Sequence, residues 1–250
     1  MNISVVLITL NASAYLEKCL SSCRGFDEIL VVDSGSVDNT IEIAQNFGAK
    51  VIHQPWLGFG PQKQFAVRQA KHDWVFCLDA DEWISEKLLI EINQLNLQSR
   101  ERVFSMPRCN KFMGRFLRHG EGYPDRCIRL FDRKVAQWSE DLVHETVHYH
   151  GPIGQLQADL MHESGEDLGR YLYKQNQYTT LQAEQLFTTG KRASWVKICL
   201  SPLFRWIKFY FVRCGFLDGI PGIVHITIGC MNSMMKYAKL AEMNRQEKNK

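Results

Sequence analysis

Several features are missing from this chain of 250 residues, and each absence narrows what it can be. None of its eight cysteines (Cys19, Cys23, Cys77, Cys109, Cys127, Cys199, Cys214 and Cys230) belongs to a CxxC pair. No disulfide framework and no cysteine-rich zinc site is expected, which predicts a reducing compartment. No basic stretch opens the chain: Ile3-Ser4-Val5-Val6-Leu7-Ile8 reads as a strand and not as a signal peptide, so the protein is expected to face the cytoplasm. There is no internal repeat and no low-complexity linker. A helix-turn-helix, an RRM and a zinc-finger pattern are also missing, so nucleic acid is not an expected partner. No apolar run reads as a true membrane span, because residues 219–235 lack charge but contain Gly219, Pro221, Gly222 and Gly229.

What remains is the composition of a folded protein of one domain plus an appendage. Its charge is unevenly spread. Residues 191–250 carry 11 Lys and Arg against 3 Asp and Glu, whereas residues 1–190 carry 19 against 24. An acidic body with a basic, aromatic tail predicts contact with a negatively charged surface near the tail.

The first half alternates strand and helix signals. Strands are expected at Val5–Ile8, Glu28–Val32, Lys50–Ile52 and Trp74–Leu78. Helices are expected at Ala14–Cys23, from near Asp38, at Gln62–Ala70 and from near Ser85. Continuous apolar strands separated by helices indicate an α/β fold whose mostly parallel sheet is covered on both faces. Ligands of such sheets bind at the carboxyl ends of the strands, where Asn11, Asp33 and Asp79 all fall. Val103–Met106 and Cys127–Phe131 read as later strands, and helical periodicity returns after Asp167. The expected division is a catalytic domain over residues 1–165 and a helical extension over 166–250.

Asp79 and Asp81 are one residue apart. In an extended segment both carboxylates point to one side, and burying them after an apolar strand calls for a cation. Mg²⁺ or Mn²⁺ with a diphosphate meets that need. The plainer reading is a solvated turn with two acids that cap the following helix.

Three segments together resemble the family 2 glycosyltransferases: Val5-Val6-Leu7-Ile8-Thr9-Leu10-Asn11, Val31-Val32-Asp33-Ser34-Gly35-Ser36-Val37-Asp38-Asn39-Thr40, and Phe76-Cys77-Leu78-Asp79-Ala80-Asp81-Glu82. The resemblance implies the GT-A nucleotide-sugar fold, a Rossmann-like mixed sheet. It implies that Thr9, Leu10 and Asn11 line the nucleotide pocket, that Asp33 contacts uracil or its ribose, that Asp79 lies near ribose and sugar, and that Asp81 binds the metal. The family often has an arginine near the diphosphate where this chain has Lys63, a point charge without a bidentate fork. Inverting transfer needs a base on the acceptor side. The family's acidic segment matches Asp141-Leu142-Val143-His144-Glu145, which assigns the base to Glu145, with Asp141 as the alternative and His144 binding the donor or orienting the base. Arg126 and Arg129 flank an apolar strand, where a contact to phosphate or acceptor and a plain surface role both stand.

The tail refines the resemblance. Gly215-Phe216-Leu217-Asp218-Gly219 and Lys236-Tyr237-Ala238-Lys239-Leu240 resemble bacterial lipopolysaccharide core β-glucosyltransferases. This implies a UDP-glucose donor, a heptose acceptor on a lipid A-linked inner core, and a site of action at the inner face of the bacterial inner membrane. Sugar transfer to polyprenyl phosphate or another lipid-linked glycan is the alternative. Residues 195–213 mix aromatic and cationic side chains, which predicts a helix lying in an anionic membrane interface, or else a lid. One motif competes. His144-Glu145-Thr146-Val147-His148 matches the H-E-x-x-H of zinc proteases, with Glu166 as a third ligand. It needs a helix, which β-branched Val143, Thr146 and Val147 and the nearby Gly151-Pro152 disfavour.

Overall fold

The apolar runs at the start of the chain become β1 (Ile3–Thr9), β2 (Glu28–Asp33), β3 (Lys50–His53) and β4 (Trp74–Asp79). Between them lie α1 (Ser13–Ser21), α2 (Thr40–Asn46) and α3 (Phe59–Gln69). The computed structural model describes residues 2–140 and 145–248. β2 and β4 flank β1 in parallel, and β3 lies outside β2. Successive strand residues face opposite sides of the sheet, and both sides are dry here. Val5, Leu7, Val31, Phe76 and Leu78 share a core with Leu16 and Leu20 of α1 and Ala44 of α2. Val6, Leu30, Val32, Val75 and Cys77 share a second core with Ala66 and Val67 of α3. Burial on both faces is why these strands read as continuous apolar runs.

Two helix starts differ from the sequence reading. α2 opens at Thr40, because the Asp38 carboxylate accepts the Thr40 N–H at 3.0 Å and the Ser13 N–H at 3.1 Å and so ends a turn before the helix begins. α3 opens at Phe59, three residues before Gln62. Gly58 precedes it with a φ of 103°, a conformation natural to glycine.

After a short turn at residues 80–81 the sheet changes direction. β5 (Glu82–Ile84) leads into α4 (Glu86–Asn93), where Ser85 accepts the Leu88 N–H at 3.2 Å as an N-cap. There follow β6 (Val103–Phe112), β7 (Arg115–Phe116), β8 (Asp125–Asp132), β9 (Gln137–Trp138), β10 (Val147–His148), β11 (Ile153–Gln155) and β12 (Leu160–His162). β8 runs antiparallel to both β4 and β6, β12 is antiparallel to β5, and β9 with β10 forms a separate ribbon. The order across the main sheet is β3-β2-β1-β4-β8-β6-β12-β5.

The chain divides into two units: Met1–Arg108 with Asp125–Glu163, and Cys109–Pro124 with Ser164–Lys250. The second unit is helical. α5 (Leu168–Thr188) starts where Asp167 accepts the Arg170 N–H at 2.8 Å. α6 (Trp195–Trp206) continues into a π-helical turn over Ile207–Val212, a 3₁₀ turn over Gly215–Asp218, and α7 (Gly219–Lys248). Lys239 Nζ ties α7 to α5 through the Asn176 carbonyl at 2.9 Å and the hydroxyls of Thr179 and Thr180 at 2.9 and 2.7 Å. The buried Asp218 carboxylate accepts the Arg118 and His119 N–H groups at 2.9 and 2.8 Å, which anchors the 109–124 segment within this unit. Among the described residues no single helix is long and apolar enough to cross a membrane. One bent pair, Trp195–Val212 with Gly215–Glu247 meeting at 75°, has the length and composition together.

Candidate active site

The parallel register brings the strand ends of the first unit level, pairing Thr9 with Asp33 and Ile8 with Asp79. Asp33 is fully buried. It accepts the Thr9 hydroxyl at 2.8 Å, the Ser36 hydroxyl at 2.5 Å, and the N–H groups of Gly35 and Ser36 at 2.9 and 2.8 Å. Burial is the largest influence on this carboxyl and opposes its charge, but the Ser36, Thr9 and Gly35 hydrogen bonds outweigh it and hold the group below the usual carboxylate range. Beside it, Asn11 adopts a φ of 50°, its backbone N–H bonded to Ser36 Oγ at 2.8 Å and its side-chain Oδ1 accepting the Val37 N–H at 2.9 Å. Thr9 is buried, whereas Leu10 and Val37 stand exposed on the two adjoining loops.

The next strand end is built from buried charge. Asp79 Oδ1 lies 2.9 Å from Lys63 Nζ, and Asp79 Oδ2 lies 2.6 Å from Arg129 Nη2. The same Lys63 Nζ is 2.7 Å from Glu145 Oε1. Arg129 also donates to Glu82 through Nε at 2.9 Å and Nη2 at 2.7 Å. Lys63 and Arg129 are nearly buried and Glu82 fully so, and Arg108 Nη1 lies 3.4 Å from Glu82 Oε1, so three carboxylates face three cations, one of which, Arg108, is shared with Asp125. Trp138 forms one wall, with Lys63 Nζ 4.9 Å from its ring centroid and its indole N–H directed at Cys77 Sγ. Burial acts most strongly on each ion. For Asp79 it is outweighed by Arg129 and Lys63, so the carboxyl titrates well below its ordinary value. For Lys63 it is outweighed by Asp79 and Glu145, which raise the ammonium against the opposing effect of Arg129. Arg129 is raised further by Asp79 and Glu82. For Cys77 burial prevails over the Trp138 hydrogen bond and the opposing effect of Arg129 and Lys63, and the thiol is pushed up to about 12.

Asp79 and Asp81 are not in one extended segment: β4 ends at Asp79, residues 80–81 form a turn, and the two carboxylates take different partners, Asp81 Oδ2 lying 3.3 Å from His162 Nε2. Antiparallel pairing of β5 with β12 sets His162 opposite Glu82, and the Glu163 N–H donates to the Asp81 carbonyl at 3.0 Å. Both side chains are partly exposed, at 33 % and 21 %. The half-exposed Asp81 carboxylate is a hard oxygen donor that fits a divalent cation taking most of its positions from phosphate and water, with the His162 imidazole as a neighbouring nitrogen donor. Among the described residues no group of three or more His, Cys, Asp or Glu side chains forms a metal cage, so the donor set does not suit a closed zinc site.

The zinc-protease reading is corrected by the backbone. Val147 and His148 lie in β10, paired with Trp138 and Gln137 of β9, and a strand does not stack two histidines one turn apart. Asp141 and His144 lie outside the described residues. Of the other sequence candidates, Lys63, Asp79 and Glu145 meet directly. Asp81 is one turn away, and Thr9, Leu10, Asn11 and Asp33 line the neighbouring loop pair. Arg129 belongs to the charge network, while Arg126 reaches the carbonyls of Ser105 and Leu156 at 3.1 and 2.8 Å and so fastens strands. His162 and the buried Glu82 were not singled out from sequence. Glu82 follows the paired aspartates directly, but only the β5–β12 pairing reveals His162.

Comparison with known proteins agrees with this geometry. A sequence family described as "Glycosyl transferase family 2" matches residues 4–139. An uncharacterized glycosyltransferase of Rickettsia typhi is 31 % identical over 99 % of this chain and 89 % of its own length. The lipopolysaccharide core biosynthesis glycosyltransferase LpsC of Rhizobium meliloti is 29 % identical over 95 % of this chain and 91 % of its own. Among solved structures, a mannosyltransferase from Pyrobaculum calidifontis in complex with GDP-Man and Mn²⁺ superposes with a TM-score of 0.54 at 11 % identity, covering 100 % of this chain and 88 % of that one.

Proposed function

Because this chain belongs to glycosyltransferase family 2, we propose that it is an inverting hexosyltransferase that moves glucose from UDP-glucose to a heptose of the lipopolysaccharide inner core. The name of the Rhizobium meliloti relative supports the acceptor class, and the resemblance of the carboxy-terminal segments supports the sugars. The observation that carries the catalytic reading is Lys63, whose ammonium holds Asp79 and Glu145 at once. The side chain assigned to the donor and the one assigned to the acceptor therefore share one cation.

In this reading Glu145 takes the proton of the acceptor hydroxyl as that oxygen bonds to the anomeric carbon. The bond from that carbon to the diphosphate oxygen breaks, the electron pair leaves on the diphosphate, and the configuration inverts. Asp81, with His162 beside it, would hold Mg²⁺ or Mn²⁺, which supplies charge stabilisation to the leaving group. Lys63 links binding to chemistry. A diphosphate competes with Glu145 for the same ammonium, so an arriving donor loosens the 2.7 Å ion pair that occupies the base. Arg129 keeps Asp79 ionised and fixed, which orients it toward ribose and sugar. Asp33, with its oxygens bonded to Thr9, Gly35 and Ser36, shapes the loop pair that receives the nucleotide, with Leu10 and Asn11 on its rim.

The test is a panel of UDP-sugars offered with truncated inner-core oligosaccharides. Transfer from UDP-glucose to a heptose-terminated acceptor, dependent on added Mg²⁺ or Mn²⁺, is the expected result. Transfer only to polyprenyl phosphate would replace the acceptor assignment, and turnover indifferent to chelator would remove the metal.

A further inference from the structure

α6 and the turn after it carry an exposed apolar stripe. Val196, Leu200, Leu203, Phe204, Ile207 and Phe211 recur at the spacing of one helical face, and each is between 40 and 65 % exposed. α6 has no buried residue. The opposite, half-buried face holds Ile198, Pro202, Trp206 and Phe209 together with two polar contacts: Ser201 Oγ meets Ser233 Oγ of α7 at 2.8 Å, and Arg205 Nε donates to Glu121 at 2.9 Å. A helix on a water-facing surface is polar on its outward side, whereas this one is apolar on both. The stripe also continues past the helix into Val212 at 73 % exposure. A contiguous apolar face of this length marks an interaction surface.

The charges beside it indicate the partner. Residues 185–217 contain six Lys and Arg and no Asp or Glu. Arg205 and Arg192 are engaged by Glu121 and Glu247, but Lys197 and Lys208 stand exposed along one edge of the stripe. Trp206 and Tyr210 stack at 5.2 Å on the side away from those lysines, and aromatic rings of this kind settle at headgroup depth. A protein partner of general type would not require a cation-only border, whereas a bilayer carrying anionic lipids does. We propose that α6 and the Ile207–Val212 turn form a docking surface for an anionic lipid bilayer, with the apolar stripe entering the boundary between headgroups and acyl chains and with Lys197 and Lys208 on lipid phosphates. α6 lies in the interface rather than crossing it, because its 12 residues rise only about 18 Å, short of a hydrocarbon core.

The test is flotation of the full chain with vesicles of phosphatidylcholine alone and of phosphatidylcholine mixed with phosphatidylglycerol. Binding to the mixed vesicles, at least about tenfold tighter than to the neutral ones and weakened by salt, is expected. The double variant F204Q/F211Q should lose roughly 30-fold in vesicle binding while keeping its far-UV circular dichroism and its turnover of soluble substrates. Should that variant fail to fold, K197Q/K208Q provides an independent arm, expected to lose about fivefold per lysine on mixed vesicles only. Equal binding of the wild type to both vesicle types, or full binding by either folded variant, overturns the proposal. So does a wild type that is dimeric in solution while F204Q/F211Q is monomeric and still binds vesicles, because a second copy would then be the occupant.

Discussion

The rim of the sheet and the face of α6 break the same rule in opposite directions. At the rim, Glu82, Lys63 and Arg129 take charge into a place that water scarcely reaches, with the half-buried Asp79 at its mouth. On α6, Phe204 and Phe211 hold large apolar surface out in water. Each arrangement costs free energy in the isolated chain, by desolvating ions in one case and by hydrating hydrocarbon in the other. The difference lies in how the cost is met. The rim is largely self-compensated, because every buried ion has a partner within 3 Å. The stripe on α6 has no such internal compensation. A perturbed rim should therefore damage both fold and chemistry, and a perturbed stripe should damage neither, only association.

The largest effect expected is on chemistry. Asp81→Ala should reduce metal-dependent turnover of UDP-sugar by about 10³-fold or more, since several kcal/mol of leaving-group stabilisation would go with it, while the melting temperature stays near that of the wild type. Steady-state rates across a Mg²⁺ and Mn²⁺ titration measure this, and an unchanged rate would separate Asp81 from the metal. Glu145→Gln should lower turnover by roughly 10²- to 10⁴-fold. Because the amide cannot bind the Lys63 ammonium as an ion pair, donor affinity should stay level or rise. A fall in donor affinity with transfer intact would place the base elsewhere and leave Lys63 as a structural link only.

Next comes stability. Arg129→Met removes the cation that serves both Asp79 and Glu82, and leaves buried carboxylates short of charge. Breaking a buried pair in this way costs about 3–5 kcal/mol, or roughly 10 °C of melting temperature for a chain of this size. Thermal unfolding followed by circular dichroism reads it directly. A shift of only a degree or two would mean that water reaches the network and that the rim is less dry than its burial implies.

These regions also differ in how far the sequence revealed them. The parallel half was legible because burial on both faces leaves continuous apolar runs, and the acids that end them, Asp33 and Asp79, stand out against that background. Lys63 and Glu145 were legible only through family resemblance, since nothing local says that residues 82 positions apart share an ion pair. His162 was not legible at all. It reaches Asp81 through the pairing of two three-residue strands, and such short strands have too few side chains for periodicity to show. On α6 the sequence left two readings, an interface helix and a lid packed by its aromatic face. Which apolar side chains stand uncovered was not legible, because both faces of α6 carry them, and the structure leaves Phe204 65 % exposed.

That exposure makes the smallest expected effect the most discriminating. Phe204→Gln in the core of a soluble protein would cost several kcal/mol through the cavity and the stranded amide. At a side chain 65 % exposed, the folded state gives up little packing and the unfolded state is nearly as well hydrated, so stability should move by no more than about 0.5 kcal/mol. Chemical denaturation of the full chain in buffer without lipid or detergent measures this. If Phe204→Gln destabilised the protein as much as Arg129→Met, the stripe would be covered by the protein itself and its exposure could no longer be set against the buried ions of the rim. If stability held while vesicle binding fell, the two regions would be separated as the structure has them: Arg129 contributes within the folded chain, and Phe204 contributes only once a partner takes its surface out of water.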